Sequence, residues 1–305
     1  MSGGAGPLPI GQVGDYNLLE RLEPVGPGDL YRARDTRKGR TVAIRLLPAD
    51  FTPDAAARTA LVAQALGVGV LSHPNVTTLF DAAEHDGRVY LAFEFLTGQS
   101  LRAEMAGRPM NVRRALELAI QIADAVADAH AAGFLHGGLS PDSIVVTAKG
   151  RAKIPAFELA SRSGFDPGGT RLFDYDSPEE ARGQPPDDRA DVFSVGAILY
   201  EMLASRRPSH KGAAAPSAMN PHVSQELDAL ILRAVAPNPD SRWPSAVTLA
   251  AELRALAARF DAGEAATDEP EHAGAAPTAR GRLLLIAALL AVLAAVVWWL
   301  TRPPS

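Results

Sequence analysis

Between residues 16 and 47, short apolar runs alternate with turn-forming stretches. This is the rhythm of half-buried strands. Residues 89–96 (VYLAFEFL) predict a further strand, and 144–146 (IVV) and 152–154 (AKI) predict two short ones. From about residue 111 the pattern becomes helical. Residues 113–130 set Leu116, Ile120, Ala123 and Ala127 on one stripe. Residues 192–203 (VFSVGAILYEML) are nearly all apolar and predict a helix at the centre of a lobe. Residues 225–235 and 244–260 predict two more helices. Strands first and helices later predict an α+β body over about 14–260, with a small strand-rich lobe and a larger helical one.

The two ends read differently. Residues 1–13 are rich in Gly and Pro and predict a flexible lead-in, without the basic flank and apolar run of a secretory signal. Residues 261–282 are acidic, small and Pro-containing, which is linker composition. Residues 283–300 (LLLIAALLAVLAAVVWWL) carry no charge. As a helix they would span about 27 Å, close to the hydrocarbon thickness of a bilayer. Arg280 and Arg282 precede this run, and Trp298 and Trp299 close it. The expectation is a single transmembrane helix with a short tail, 301–305, anchoring the body at the cytoplasmic face of the membrane.

Composition narrows the chemistry. The 305 residues carry 30 Lys and Arg against 35 Asp and Glu, a formal net charge of −5. That argues against a sequence-independent nucleic-acid partner, which needs a basic surface. There is no Cys, so disulfides, thiolate metal sites and Cys nucleophiles are excluded. Hydrophobic residues make up 47%, sufficient for a sizeable core. The carboxylates Asp187, Asp188 and Asp191 are read as a solvated turn with one helix cap, in preference to a metal cluster. The seven His show no ligand spacing, and His73 is assigned to a turn.

Nine segments then fall in a familiar order: GDLYRAR (28–34), VAIR (42–45), SHPNV (72–76), FEFLTGQSL (93–101), LHGGLSPDSIVV (135–146), AKIPAFELA (152–160), SPEEARG (177–183), DDRADVFSVGAILYEML (187–203) and Arg242 between prolines. Over residues 16–258 the chain resembles the bacterial serine/threonine protein kinase family. The resemblance implies a two-lobed kinase-like fold, with an N-lobe over about 14–96 and a C-lobe over about 97–260.

Phosphoryl transfer in that family is largely charge placement: a Lys and Mg²⁺ hold the phosphates, an Asp accepts the hydroxyl proton and an Asn helps hold metal. The positions that match these roles are altered here. The strand Lys is Arg45, which keeps the charge but not the point-like geometry. The helix Glu that pairs with it is Gln64. The three loop glycines fall at Glu23, Val25 and Gly28, beside Pro24 and Pro27, which lack N–H donors. The catalytic Asp is Gly138, the loop Lys is Ser140, the metal-binding Asn is Ser143, and the metal-binding Asp is Ala156. Glu158, two residues on, is a carboxylate in the wrong place. The positions that match structural landmarks are kept: His136, Phe157, Glu179, Asp191 and Arg242. Glu179 and Arg242 resemble the family's buried ion pair.

The resemblance therefore implies a pseudokinase tethered to the membrane, regulating or recruiting protein partners such as an active kinase or a phosphopeptide-binding module. No metal is expected, and ATP binding is expected to be weak or absent. The alternative is a serine/threonine kinase with residual or atypical activity. Its nucleotide slot would be Val25, Leu30, Ala43, Arg45, Phe93, Glu94, Leu96 and Val145. Thr170 lies at the activation-segment position, where Arg162 and Arg171 could receive a phosphate; an ordinary polar loop is the other reading.

Overall fold

The structure, a computed structural model, describes residues 10–23, 28–51, 54–155 and 175–268. The N-terminal part is one antiparallel sheet of β1 (Gly11–Val13), β2 (Tyr16–Leu22), β3 (Asp29–Asp35), β4 (Thr41–Leu46), β5 (Leu79–His85) and β6 (Arg88–Glu94). Its spatial order is β1-β2-β3-β4-β6-β5. Successive side chains of a strand point to opposite faces. Val42, Ile44 and Leu46 therefore pack with Tyr16, Leu18, Ala33, Tyr90 and Ala92 into one apolar cluster. The alternate set faces the other way: Ala43 lies opposite Phe93, and Arg45 lies opposite Leu30 and Leu91. One register thus builds both a core and a second surface. Helix α1 (Ala55–Val68) starts where the Asp54 side chain accepts the Ala57 N–H and buries Leu61, Ala65 and Val68.

The C-terminal part is helical. A small sheet of β7 (Gly98–Ser100), β8 (Val145–Thr147) and β9 (Ala152–Lys153) accompanies α2 (Leu101–Met105) and α3 (Val112–Ala131). Then come α4 (Asp188–Ala204), α5 (Gln225–Ala234) and α6 (Ala246–Asp268). Helix α4 is buried from Ala190 through Ala204, and it packs against α3 and α5. A helix apolar all round can only sit inside a lobe. Its approach to α5 is close at Gly196, where a Cβ would lie 2.6 Å from the Ala234 Cβ and 3.1 Å from the Val235 Cγ1.

Four sequence expectations change. Gly11–Val13 is not a loose lead-in but an edge strand, with Gly11 opposite Leu18. The buried stripe of α3 runs through Leu116, Ala119, Ile122, Ala123 and Val126, leaving Ile120 and Ala127 on its half-buried flanks. The alanines made the apolar face wider than one line of residues. Helix α6 continues to Asp268, eight residues into the expected linker, because Ala and Glu sustain a helix. Of the three carboxylates at the start of α4, Asp187 is the expected cap, its side chain accepting the Arg189 N–H, but Asp191 is buried inside and not part of a solvated turn. The expected membrane span at 283–300 lies outside the described residues; among those described, no helix is long and apolar enough to cross a membrane.

Overpacking at a helix contact costs about 1–3 kcal/mol, and the better helix propensity of Ala over Gly returns about 1 kcal/mol. Gly196→Ala is accordingly expected to lower stability by up to about 2 kcal/mol in urea titration. An unchanged or higher midpoint would mean that α4 and α5 part freely.

Candidate functional site

The loop joining α3 to β8 is held from beneath by one carboxylate. Asp191 is 1% exposed. Its Oδ2 accepts the His136 N–H and its Oδ1 the Gly137 N–H, both at 2.8 Å. The Nε2 of His130, near the end of α3, lies 2.8 Å from Oδ2. Burial works to raise the Asp191 pKa. The His130 hydrogen bond, the charge of His136 and the Gly137 N–H outweigh it and hold the carboxyl below its ordinary range. Gly137 has φ +63°, a left-handed conformation that glycine adopts without a Cβ clash.

Gly138 and Leu139 follow, both buried. The side-chain position at 138 holds no functional group. Ser140 and Ser143 bond each other: their hydroxyls are 3.3 Å apart, the Ser143 hydroxyl donates to the Ser140 carbonyl at 3.1 Å, and the Ser143 N–H meets the Ser140 Oγ at 3.3 Å. The two short side chains close a local turn, as Ser commonly does. Asp142 points elsewhere, toward Arg102 at 3.3 Å.

Of the slot residues, Leu30, Ala43, Arg45 and Phe93 share the sheet face opposite the apolar cluster, whereas Glu94 pairs with Val42 and Leu96 and Val145 lie outside this sheet. Leu30, Ala43 and Arg45 are half-buried on adjacent strands, Phe93 is buried near the end of β6, Leu96 is half-buried two residues after Glu94, and Val145 is half-buried on β8 opposite Lys153 of β9. The Glu94 side chain is engaged with the Lys153 ammonium at 2.8 Å, which also donates to the Val76 carbonyl at 3.3 Å. Its carboxylate therefore tethers β6 to β9. Arg32 adds a cation that sequence reasoning missed, with its guanidinium 5.5 Å from the Phe95 ring. Gln64 sits half-buried on α1.

Glu179 and Arg242 meet in the C-terminal part. Arg242 donates to both carboxylate oxygens at 2.6 and 2.7 Å, with its side chain wholly buried. It also donates to the carbonyls of Ala236 and Arg189. Burial pushes the Glu179 pKa up, and Arg242 more than reverses it, so the carboxyl lies below its ordinary range. Two fork donors, two acceptor oxygens and further carbonyls leave this buried pair well satisfied, the condition under which such a pair is tolerated.

A second node escaped sequence reasoning. Arg102, in α2, donates to Glu201 of α4 at 2.7 Å and to the Tyr175 hydroxyl. Tyr175 is 2% exposed and itself donates to Glu201. Burial first, and Glu201 second, push the Tyr175 phenol well above its usual range. The separation of 99 residues between Arg102 and Glu201 leaves no periodic signal to find. His73, assigned to a turn, accepts the Asn75 N–H through Nδ1 at 3.1 Å. Val25, Ala156, Phe157, Glu158 and Thr170 lie outside the described residues.

The family model for the protein kinase domain matches residues 20–259. The chain belongs to the protein kinase family. It is 31% identical to the probable serine/threonine-protein kinase SCO3848 of Streptomyces coelicolor over 268 residues, 79% of this chain and 40% of that protein. It is 32% identical to the serine/threonine-protein kinase PknD of Mycobacterium tuberculosis over 260 residues, 78% of this chain and 39% of the relative. The chain thus spans about two fifths of the length of these curated relatives. In fold it is similar to the crystallised kinase domain of Mycobacterium tuberculosis PknI, with a TM-score of 0.68 at 22% identity, covering 80% of this chain and 96% of that one.

Within this kinase fold the two lobes are the strand-rich part ending at β6 and the helical part from α2 onward, and the loop at 135–143 belongs to the helical lobe. The start of that loop is held by side chains of α3 and α4, and its Ser140–Ser143 turn by its own hydroxyls.

Asp191→Asn tests that grip. Hydrogen bonds to a charged group contribute about 1.5–3 kcal/mol, and an amide cannot accept every N–H that the carboxylate does. A loss of about 3 kcal/mol in urea titration at pH 7 is expected. The folded pKa of Asp191 is depressed, so its contribution is present above the unfolded value of about 3.9 and is lost as pH falls through the folded value. The gap between wild type and variant should hold from pH 8 to 5 and narrow below about 4. A gap independent of pH would contradict the assignment.

Proposed function

We propose that this member of the protein kinase family acts by binding, as a regulatory or scaffolding module in phospho-signalling, and not by transferring phosphate. The observation that carries the reading is the loop at 136–143: Asp191 grips its backbone while position 138 offers no acid. Proton acceptance by a positioned side chain contributes typically about 10²–10⁴-fold to rate, and Gly138 has nothing to accept with. The remaining positions point the same way. The Ser143 hydroxyl is engaged with Ser140, and a neutral hydroxyl is a poorer ligand than the carboxylate oxygens that Mg²⁺ favours. Ala156 brings no oxygen, and Gln64 brings no charge to balance Arg45. These residues do not fit a magnesium-bound triphosphate, so no transfer step is assigned to them.

In this reading the partners are proteins, among them an active kinase or a phosphopeptide-binding module, and Thr170 is the position a partner kinase would modify. Residues 283–300 would hold the body at the cytoplasmic membrane. Tethering raises the effective concentration of neighbours, so modest contacts suffice.

One observation favours a second reading, a serine/threonine kinase with residual or atypical activity. The relatives are named serine/threonine-protein kinases. Arg45, on the slot face beside Leu30 and Ala43, would then contact phosphate.

Thermal unfolding of the full chain with ATP, with and without Mg²⁺ or Mn²⁺, separates the readings. A ligand of the native state at one hundred times its Kd adds about 2.7 kcal/mol. The binding-module reading predicts no shift, or a shift indifferent to metal if nucleotide is a structural ligand. A shift that needs metal would favour the enzyme.

A further inference from the structure

The acceptors around Arg102 form a site shaped for a guanidinium group. Its Nη1 donates to Glu201 Oε1 at 2.7 Å, and its Nη2 donates to the Tyr175 hydroxyl and to Asp142 Oδ2, the latter at 3.3 Å. Its Nε lies 3.4 Å from both Asp142 carboxylate oxygens. The Tyr175 hydroxyl donates in turn to Glu201 Oε2. All three nitrogens of the fork thus meet acceptors, and these come from three places: Glu201 from α4, Tyr175 from the segment before α4, and Asp142 from the loop before β8. Burial works to lower the Arg102 pKa; Glu201, Tyr175 and Asp142 outweigh it and hold the guanidinium above its ordinary range.

The acceptors have supports of their own. Tyr175 is 2% exposed, and its carbonyl accepts the Ser194 hydroxyl at 2.9 Å. Glu201 stands in the fully buried stretch of α4. Asp142 belongs to the turn that the Ser140 and Ser143 hydroxyls close. The occupant comes from elsewhere, a helix of only five residues, whose Arg102 N–H is pinned to the Pro141 carbonyl at 2.9 Å.

A comparison within the molecule separates this arginine from a purely structural one. The Arg242 side chain is 0% exposed on Glu179, sealed by protein on all sides. The Arg102 side chain is 38% exposed, and that of Asp142 is 50% exposed, while Glu201 lies at 10%. The site therefore has a buried floor, Glu201 and Tyr175, and a mouth open to solvent beside Asp142.

We propose that this is a binding site for an arginine side chain of a polypeptide laid along the 136–143 loop, and that Arg102 fills it in cis and keeps it shut. A guanidinium offers a planar fork of donors that meets carboxylates pairwise, whereas a lysine ammonium is a compact point charge. Two carboxylates and a phenol set around one plane suit the fork. With Arg102 taken away, Glu201 would be a buried carboxylate without its cation, which is strongly unfavourable, so an incoming guanidinium would be drawn in. Arg207, 6.0 Å from the Tyr175 ring, remains in either case. The unaltered chain accordingly turns away arginine at this point of its surface, and a partner that brings one must first displace Arg102. The proposal asks nothing of position 138, so it stands for a catalytic and a non-catalytic chain alike.

The test is fluorescence anisotropy with the full chain in a neutral detergent and no nucleotide. The probe is a labelled peptide of Gly and Ser with one central Arg; the controls carry citrulline or Lys in its place. The variants are Arg102→Ala, Arg102→Gln, which keeps more of the stem should the first fail to fold, and Arg102→Ala with Asp142→Asn. Hydrogen bonds to charged groups are strong enough for each to shift a dissociation constant about tenfold or more. The Arg peptide is expected to bind the Arg102 variants about tenfold more tightly than the wild type, and adding Asp142→Asn is expected to remove most of that gain. The citrulline peptide should gain nothing, and the Lys peptide less than the Arg peptide. Read alongside, 20 mM guanidinium chloride against 20 mM NaCl should raise the thermal midpoint of the Arg102 variants and not that of the wild type. Equal binding of the Arg peptide to wild type and variants, or an equal gain for citrulline, would overturn the proposal. So would variants whose midpoint guanidinium leaves unmoved.

Discussion

A buried carboxylate with three donors is the constraint on which the rest of this molecule is built. Asp191 sits in the first turn of the central helix and accepts from the backbone at His136 and Gly137 while His130 leans on it from α3. A charge in that position would be costly without donors, and each donor would be costly without the charge. Loop, α3 and α4 are therefore fixed together. None of the three donors is a side chain of the loop's own chemistry, so the loop can lose functional groups without losing its shape.

That separation explains how a kinase framework and an altered site coexist. The Glu179–Arg242 pair ties the segment before α4 to the segment before α6. Arg102 ties α2 to α4 and to Tyr175. The Lys153–Glu94 pair joins β9 to β6. Each of these contacts is made by residues outside position 138, and each is indifferent to what stands there. Gly138 and the Ser140–Ser143 turn fill a loop already braced on every side.

How much of this could be read from the chain depends on the kind of signal. The period-two rhythm in 41–46 and the apolar run in 192–203 placed β4 and α4 because burial alone decides them. The boundaries were harder. Gly11–Val13 carries no apolar alternation and is a strand only because β2 offers it a hydrogen-bonding edge. Helix α1 has a weak stripe, since alanines occupy both its exposed and its buried positions. At the site, Glu179, Asp191 and Arg242 were legible through the order of motifs around them. Arg102, Lys153 and His130 were not, because each acts through a partner 59 to 99 residues away and carries no local mark.

The account rests on one claim: a correctly braced loop without an acid at 138 moves no phosphate. Transfer of radiolabelled γ-phosphate from ATP to a general protein substrate, with Mg²⁺ and then Mn²⁺, addresses it directly, read beside an Arg45→Met variant. The account predicts that wild type and variant both stay at background. Label incorporated by the wild type and abolished in the variant would contradict it.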